Sequence, residues 1–210
     1  MEYRTIAEAV TATLIEKKSE FIAHLFPVKT GEEAVACIES VKKNHRKARH
    51  NVYAYIVRDQ NTSRYSDDGE PQGTAGMPVL DALMKNHLTD VCCVVTRYFG
   101  GILLGGGGLV RAYSGSTAMA VDAARIMVMR ECRPVTMRMD YSMYGKVSYV
   151  LPQYQVLQQD SDFGNDVTLS MLVQDEMTEK LRADLIDLAN GQIEIMVGER
   201  QYADFSSVEK

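Results

Sequence analysis

The segment GGILLGGGGLVRAYSG, residues 100–115, sets seven glycines among sixteen residues, directly behind the apolar run DVCCVVTRYF of residues 90–99. Such a stretch gives up much of its side chain in one place. Its glycines serve a tight backbone path, a close packing contact, or a ligand that needs bare N–H groups. The run before it is rich in β-branched residues, as a strand covered on both faces would be. From Leu109 a helical pattern begins, apolar or small at Leu109, Tyr113, Ser116, Ala120, Ala124 and Met127. A strand, a glycine loop and a helix in that order make the geometry of an anion site at a helix N-terminus. No G-x-x-x-x-G-K-[ST] and no G-x-G-x-x-G can be framed in it, so it carries no known nucleotide fingerprint. Arg97 and Arg111 flank the loop and suit phosphate, whereas the alternative is that strand and helix merely cross closely.

The remaining composition narrows the class. The chain of 210 residues has room for one or two domains, and 46% hydrophobic with 24% charged residues is ordinary for a globular core. No run approaches about 18–20 apolar residues, so no membrane span is expected. MEYRTIAEAV lacks the apolar centre of a secretory signal, which makes the cytoplasm the expected compartment. Cys37, Cys92, Cys93 and Cys132 have neither C-x-x-C nor zinc-ligand spacing and are expected as buried free thiols. The net charge of −5 hides an asymmetry: residues 1–130 hold 16 Lys+Arg against 14 Asp+Glu, and residues 131–210 hold 7 against 14. Only the first part could present a basic surface.

Along the chain, Val10, Ala12 and Leu14 alternate, and a polar EKKSE turn leads into FIAHLFPV, a β-hairpin. Thr30-Gly31-Glu32-Glu33 is a capping box, with Ala34, Ile38 and Val41 at helical spacing behind it. NVYAYIVRD (51–59) reads as a strand, SDDGEPQGTAGMP (66–78) as a loop, and MPVLDALMKNH as a short helix. Beyond Arg130 the pattern restarts: TMRMDYSM a strand, GKVSYVLPQYQ a helix broken near Pro152, NDVTLSMLVQD a strand, EMTEKLRADLIDLANG a helix, and QIEIMVGERQ a last strand. With a hairpin turn at Asp160–Asn165 this order is β-α-β-β-α-β, a ferredoxin-like sandwich. The expected domains are 1–130 and 131–210, divided at about 130–135, where Pro134 and the change of composition coincide.

Two further stretches could carry chemistry. RYSDDGEP places Asp67, Asp68 and Glu70 in one turn, where clustered carboxylates can hold Mg²⁺ or act as acid and base. They can equally be turn formers, or partners that orient Arg97 or Arg111 and tie two loops into one site. KKNHRKARH carries Lys42, Lys43, Arg46, Lys47 and Arg49, which suit the C-terminal end of a helix and could also meet phosphates. Tyr98 and Tyr113 could stack on bases, though Tyr113 falls on the helix's core face. No nucleophile–base pair is marked, and the sequence calls for no cofactor unless Mg²⁺ binds the carboxylates.

SDDGEPQGTAGMP and VVTRYFGGILLGGGGLVRAYS, together with KKSEFIAH (17–24) and ARHNVYAY (48–55), resemble the signature of the Impact family, which includes the bacterial YigZ/YvyE-type proteins. The resemblance covers most of residues 15–125 and implies an α+β fold. Its N-terminal domain would be ribosomal protein S5 domain 2-like, its C-terminal one ferredoxin-like, a pair similar to the last two domains of the translocation elongation factor. Eukaryotic members regulate translation through an activator of an initiation-factor kinase. This chain lacks their additional partner-binding domain, so the kinase-regulating role is not expected of it.

The leading expectation is a non-enzymatic cytoplasmic factor linked to regulation of translation that touches RNA or the ribosome. Phosphate would meet Arg97, Arg111 and Gly105, Gly106, Gly107 and Gly108, with Tyr98 stacking and Lys42, Lys43, Arg46, Lys47 and Arg49 as a supplementary field. Two alternatives stand beside it. One is an enzyme acting on a phosphorylated small molecule, as kinases of the S5-like fold do, with Mg²⁺ on Asp67, Asp68 and Glu70. The other is a protein-interaction module.

Overall fold

Alternation along one buried strand organises the N-terminal part of the molecule. The structure is a computed structural model describing residues 2–58 and 61–208; Asp59, which ends the strand expected over 51–59, and the terminal residues Met1, Glu209 and Lys210 lie outside it. After β1 (Glu2–Ile6), the strands β2 (Val10–Glu16), β3 (Ser19–Pro27), β4 (His50–Val57), β5 (Thr62–Ser66) and β6 (Val91–Tyr98) form a sheet in the order β2-β3-β6-β4-β5. All four pairings in it are antiparallel. Successive side chains of β6 point to opposite faces. Val91, Cys93 and Val95 enter one core with Val79 and Leu83 of helix α2 (Gly76–Lys85) and Leu109, Ala112 and Tyr113 of helix α3 (Gly106–Ala123). Cys92 and Val94 enter a second core with Ala34, Ile38 and Val41 of helix α1 (Gly31–Asn44). Both thiols are free, and burial pushes Cys93 up to about 12, far from the thiolate form. Cys132 is likewise buried and free, while Cys37 is half-buried.

Local chemistry sets where these elements begin. Thr30 accepts from the Glu33 N–H (3.2 Å) and Glu33 from the Lys29 N–H (2.6 Å), a reciprocal cap on α1. The β2–β3 turn has Lys17 and Lys18 at φ +47° and +66°, the left-handed pair of a tight hairpin. Helix α3 starts at Gly106, three residues before the first apolar position, because Gly105 at φ +71° turns the chain into it. It ends at Ala123, and Met127, expected on its face, already belongs to the next strand.

That strand, β7 (Ile126–Met139), is long, and the chain divides into two compact units between Met127 and Val128. The interval 130–135, expected to separate the domains, therefore lies within β7. The second unit continues with α4 (Tyr141–Val150), a 3₁₀ turn at Leu151–Tyr154, β8 (Leu157–Phe163), β9 (Val167–Gln174), α5 (Asp175–Leu188), β10 (Ile193–Val197) and β11 (Gln201–Asp204). β10, β7, β9 and β8 pair antiparallel in that order, the ferredoxin-like arrangement. Val135, Met137 and Met139 of β7 and Leu169, Met171 and Val173 of β9 pack with Val147, Leu181 and Leu185 of the two helices. The strand expected over TMRMDYSM stops at Met139, since Asp140 stands at the N-cap position of α4 and its last three residues are helical. Gly191 at φ +78° ends the turn after α5, its N–H reaching the Ile186 carbonyl.

Both units are mixed α and β, and the molecule has the α+β two-domain fold expected. No described helix is long and apolar enough to cross a membrane.

Candidate nucleic-acid interface

One end of the five-stranded sheet gathers most of the residues singled out in the sequence. There β3 and β4 begin and β5 and β6 end, as the pairings Glu20–Tyr98, His50–Arg97 and Tyr53–Ser66 show. The β2–β3 turn, the end of α1, the loop from Asp67 to Ala75 and the glycine loop therefore meet at that end. The carboxylate loop is fastened to it residue by residue. Asp68 accepts from the Asn51 N–H (2.7 Å), its carbonyl meets His50 Nδ1 (2.8 Å), and Lys42 lies 3.4 Å from its carboxylate. Asp67 accepts from the N–H groups of Gly73, Ala75 and Gly76, capping α2 from nine residues away.

Glu70 points inward. Its Oε1 accepts from Arg97 Nη1 (2.6 Å) and from the Tyr113 hydroxyl (2.7 Å), with the Glu70 and Arg97 side chains only 4% and 8% exposed. The guanidinium lies between the Phe21 and Phe99 rings, 5.4 Å and 5.7 Å from their centroids. Phe21 meets Tyr113 edge-on at 5.1 Å. Burial and the neighbouring Glu70 carboxylate push the Tyr113 phenol well above its ordinary value, so it stays a hydrogen-bond donor. Arg97 thus joins the carboxylate loop to the glycine loop from within the core, and it is not presented to phosphate as expected. Tyr113 is fully buried and offers no stacking face. Tyr98 is half-buried, with its hydroxyl 3.0 Å from His45 Nδ1. His45 lies 5.0 Å ring to ring from His24, and burial together with the charge on His45 lowers His24 to about 4.

Asp67, Asp68 and Glu70 thus face three different sets of partners and do not converge on a common point. Among the described residues no group of three or more His, Cys, Asp or Glu is placed to hold a metal ion. The arrangement gives Mg²⁺-dependent work on a phosphorylated small molecule no carboxylate cluster to start from.

The glycines separate by what they need. A Cβ on Gly100 would fall 2.0 Å from the Lys18 backbone, and one on Gly108 2.9 Å from Leu104 Cβ. Gly101 and Gly105 have positive φ. Gly106 and Gly107 have room for a side chain: their nearest neighbours would be Thr74 Cγ2 at 3.7 Å and Arg111 Nη1 at 3.6 Å. Both are exposed in the first turn of α3, which has no side-chain cap and no acidic residue. Their bare N–H groups, the positive end of α3 and the Arg111 guanidinium share one surface.

Lys43, Arg46, Lys47 and Arg49 are exposed around the end of α1 and form no ion pair among the described residues, whereas Lys42 is half-buried against Asp68. Lys17 and Lys18 extend this cationic rim to the Gly100 backbone. The sequence reading did not single out those two, nor the apolar part of the glycine loop: Phe99, Ile102 and Leu103 are exposed, Leu103 to 83%. A signal was present, because three large apolar residues punctuated by glycines between a strand and a helix have no regular face to occupy.

The chain matches the Impact N-terminal domain family over residues 17–121 and a family described as a domain of unknown function, DUF1949, over residues 137–192. It is similar to the IMPACT family member YvyE of Bacillus subtilis (strain 168), 37% identical over 96% of this chain and 94% of that one. To the IMPACT family member YigZ of Escherichia coli (strain K12) it is 34% identical over 90% and 95%. Protein IMPACT of Oryctolagus cuniculus is 32% identical over 44% of this chain but only 30% of its own length. A crystal structure titled as that of a hypothetical protein superposes with a TM-score of 0.60 at 33% identity, covering 94% of this chain and 98% of that one.

Proposed function

The chain belongs to the IMPACT family, and from that premise we propose that it is a non-enzymatic factor associated with RNA or the ribosome and linked to regulation of translation. The observation that carries the reading is the concentration of exposed cations, without an ion pair among the described residues, at one end of the N-terminal unit: Lys17, Lys18, Lys43, Arg46, Lys47, Arg49 and Arg111. They border the open N-terminus of α3, where Gly106 and Gly107 leave backbone N–H groups uncovered. Phosphates meet the lysines and arginines and the first turn of α3, while Arg97 and Glu70 hold the two loops in register from behind. Lys42 acts through Asp68, fixing the carboxylate loop. Residues 131–210, at −7, make no contact with nucleic acid or meet a protein. We assign the activity to residues 1–130 and a separate role to residues 131–210.

Co-sedimentation with ribosomes tests the reading. Binding is expected at about 50 mM salt and is lost by about 200 mM, because each phosphate contact releases condensed counterions. Replacing Lys43, Arg46, Lys47 and Arg49 together with alanine weakens binding at low salt and flattens the salt slope by about one unit per contact removed. Binding independent of salt, or unchanged in the fourfold variant, refutes the proposal.

A further inference from the structure

We propose that the loop between β6 and α3, Phe99 to Leu104, engages an unpaired stretch of RNA, with the Phe99 ring as the surface on which a base stacks and Leu103 as an apolar wedge beside it. The inference rests on the RNA reading above and deepens it from phosphate contact to base contact.

Three observations carry it. First, Phe99, Ile102 and Leu103 are 48%, 43% and 83% exposed within five residues. Single exposed apolar side chains are ordinary, but three on one loop make a patch. Second, the ring is anchored rather than loose. The Arg97 guanidinium lies 5.7 Å from its centroid and is itself held by Glu70, which Tyr113 holds in turn. The next residue, Gly100, donates its N–H to Ser19 Oγ (3.1 Å) and fits so closely against Lys18 that no Cβ can enter. An aromatic ring fixed from behind and open in front loses little freedom when a base stacks on it. Third, the surroundings are cationic. Lys18 lies against the root of the loop with Lys17 before it in the same turn, and the uncovered first turn of α3 with Arg111 follows it. A partner with dense negative charge and planar apolar faces satisfies both the patch and its rim, and single-stranded nucleic acid is that partner. In a duplex the base faces are already stacked, so the loop selects unpaired strand.

The test uses the full chain, a single-stranded RNA of about a dozen nucleotides carrying a central 2-aminopurine, and the matching duplex. The wild-type protein is expected to prefer the single strand and to quench the probe. Phe99→Ala should weaken single-strand binding about five- to a hundredfold and remove the quenching, while leaving the salt slope and duplex binding in place. Phe99→Tyr should restore both, which a merely unfolded protein could not do, and Leu103→Ala should reduce the strand preference by less. If the wild type binds RNA with a steep salt slope and Phe99→Ala binds alike, the stacking inference falls and the RNA reading stands. If the wild type binds neither RNA, the RNA reading falls and takes this inference with it. A loop that instead anchors the protein to vesicles of phosphatidylglycerol, with loss in Phe99→Ala and no effect on RNA, belongs to a membrane surface and overturns the inference.

Discussion

The two units handle charge in opposite ways. In the N-terminal unit the Glu70–Arg97 pair is buried, with the Phe21 and Phe99 rings near the guanidinium, while Lys43, Arg46, Lys47 and Arg49 stay exposed and form no ion pair among the described residues. In the C-terminal unit the arginine pairs stay within reach of solvent, Arg133–Asp175 half-buried and Arg138–Asp166 more open. Asp175 receives both Arg133 (2.6 Å) and Arg200, the Arg133 hydrogen bond above all holding its carboxyl below the usual range, and Arg138 meets Asp166 on the surface. Burying one ion pair where position matters and leaving other cations free separates scaffold from binding surface. Neutralising arginines with nearby acids gives a solvated surface with no such division.

Breaking the buried pair should produce the largest effect. Glu70→Ala leaves the Arg97 guanidinium charged and enclosed, and the N-terminal unit is expected to lose about 3–5 kcal/mol in denaturant unfolding. Asp175→Ala in the half-buried network should shift the unfolding of its unit by less, because solvent still reaches and screens both arginines. Equal losses would erase the contrast. Within the glycine loop the same distinction can be sharpened. Gly100→Ala must displace the Lys18 backbone and should destabilise by about 1–3 kcal/mol. Gly106→Ala has space and should be neutral or stabilising by up to about 1 kcal/mol. The last effect concerns pH. His24 is held neutral down to about 4 against an ordinary 6.5. Its contribution is full above 6.5, is lost as pH falls towards 4, and is constant below that, because the unfolded chain takes up the proton first. His24→Gln should flatten the stability profile across that window.

Strand β6 and helices α1 and α5 were legible in the sequence because a continuous apolar run, a capping box and a 3.6-residue period are local signals. Strands β5 (TSRYS) and β8 (LQQDSDF) were not, since both are edge strands with mostly polar, exposed residues and no alternation to read. The joining of the carboxylate and glycine loops was legible as an idea, but which acid met which arginine was not. Glu70 and Arg97 are 27 residues apart, and a buried arginine looks like a surface one until its partner is placed. For the same reason Arg97 drew attention as a phosphate ligand while Phe99, two residues on, drew none.

The hairpin tip at Lys17 and Lys18 has a consequence for redesign. A turn with two left-handed residues favours Asn-Gly, and a lysine in that conformation is disfavoured by roughly 1–2 kcal/mol. The tip is therefore a place where thermal robustness and surface charge trade against each other. An Asn-Gly graft there would raise the melting temperature while removing two cations beside the glycine loop, so a screen for hardier variants of this protein would select against the surface proposed to meet a polyanion.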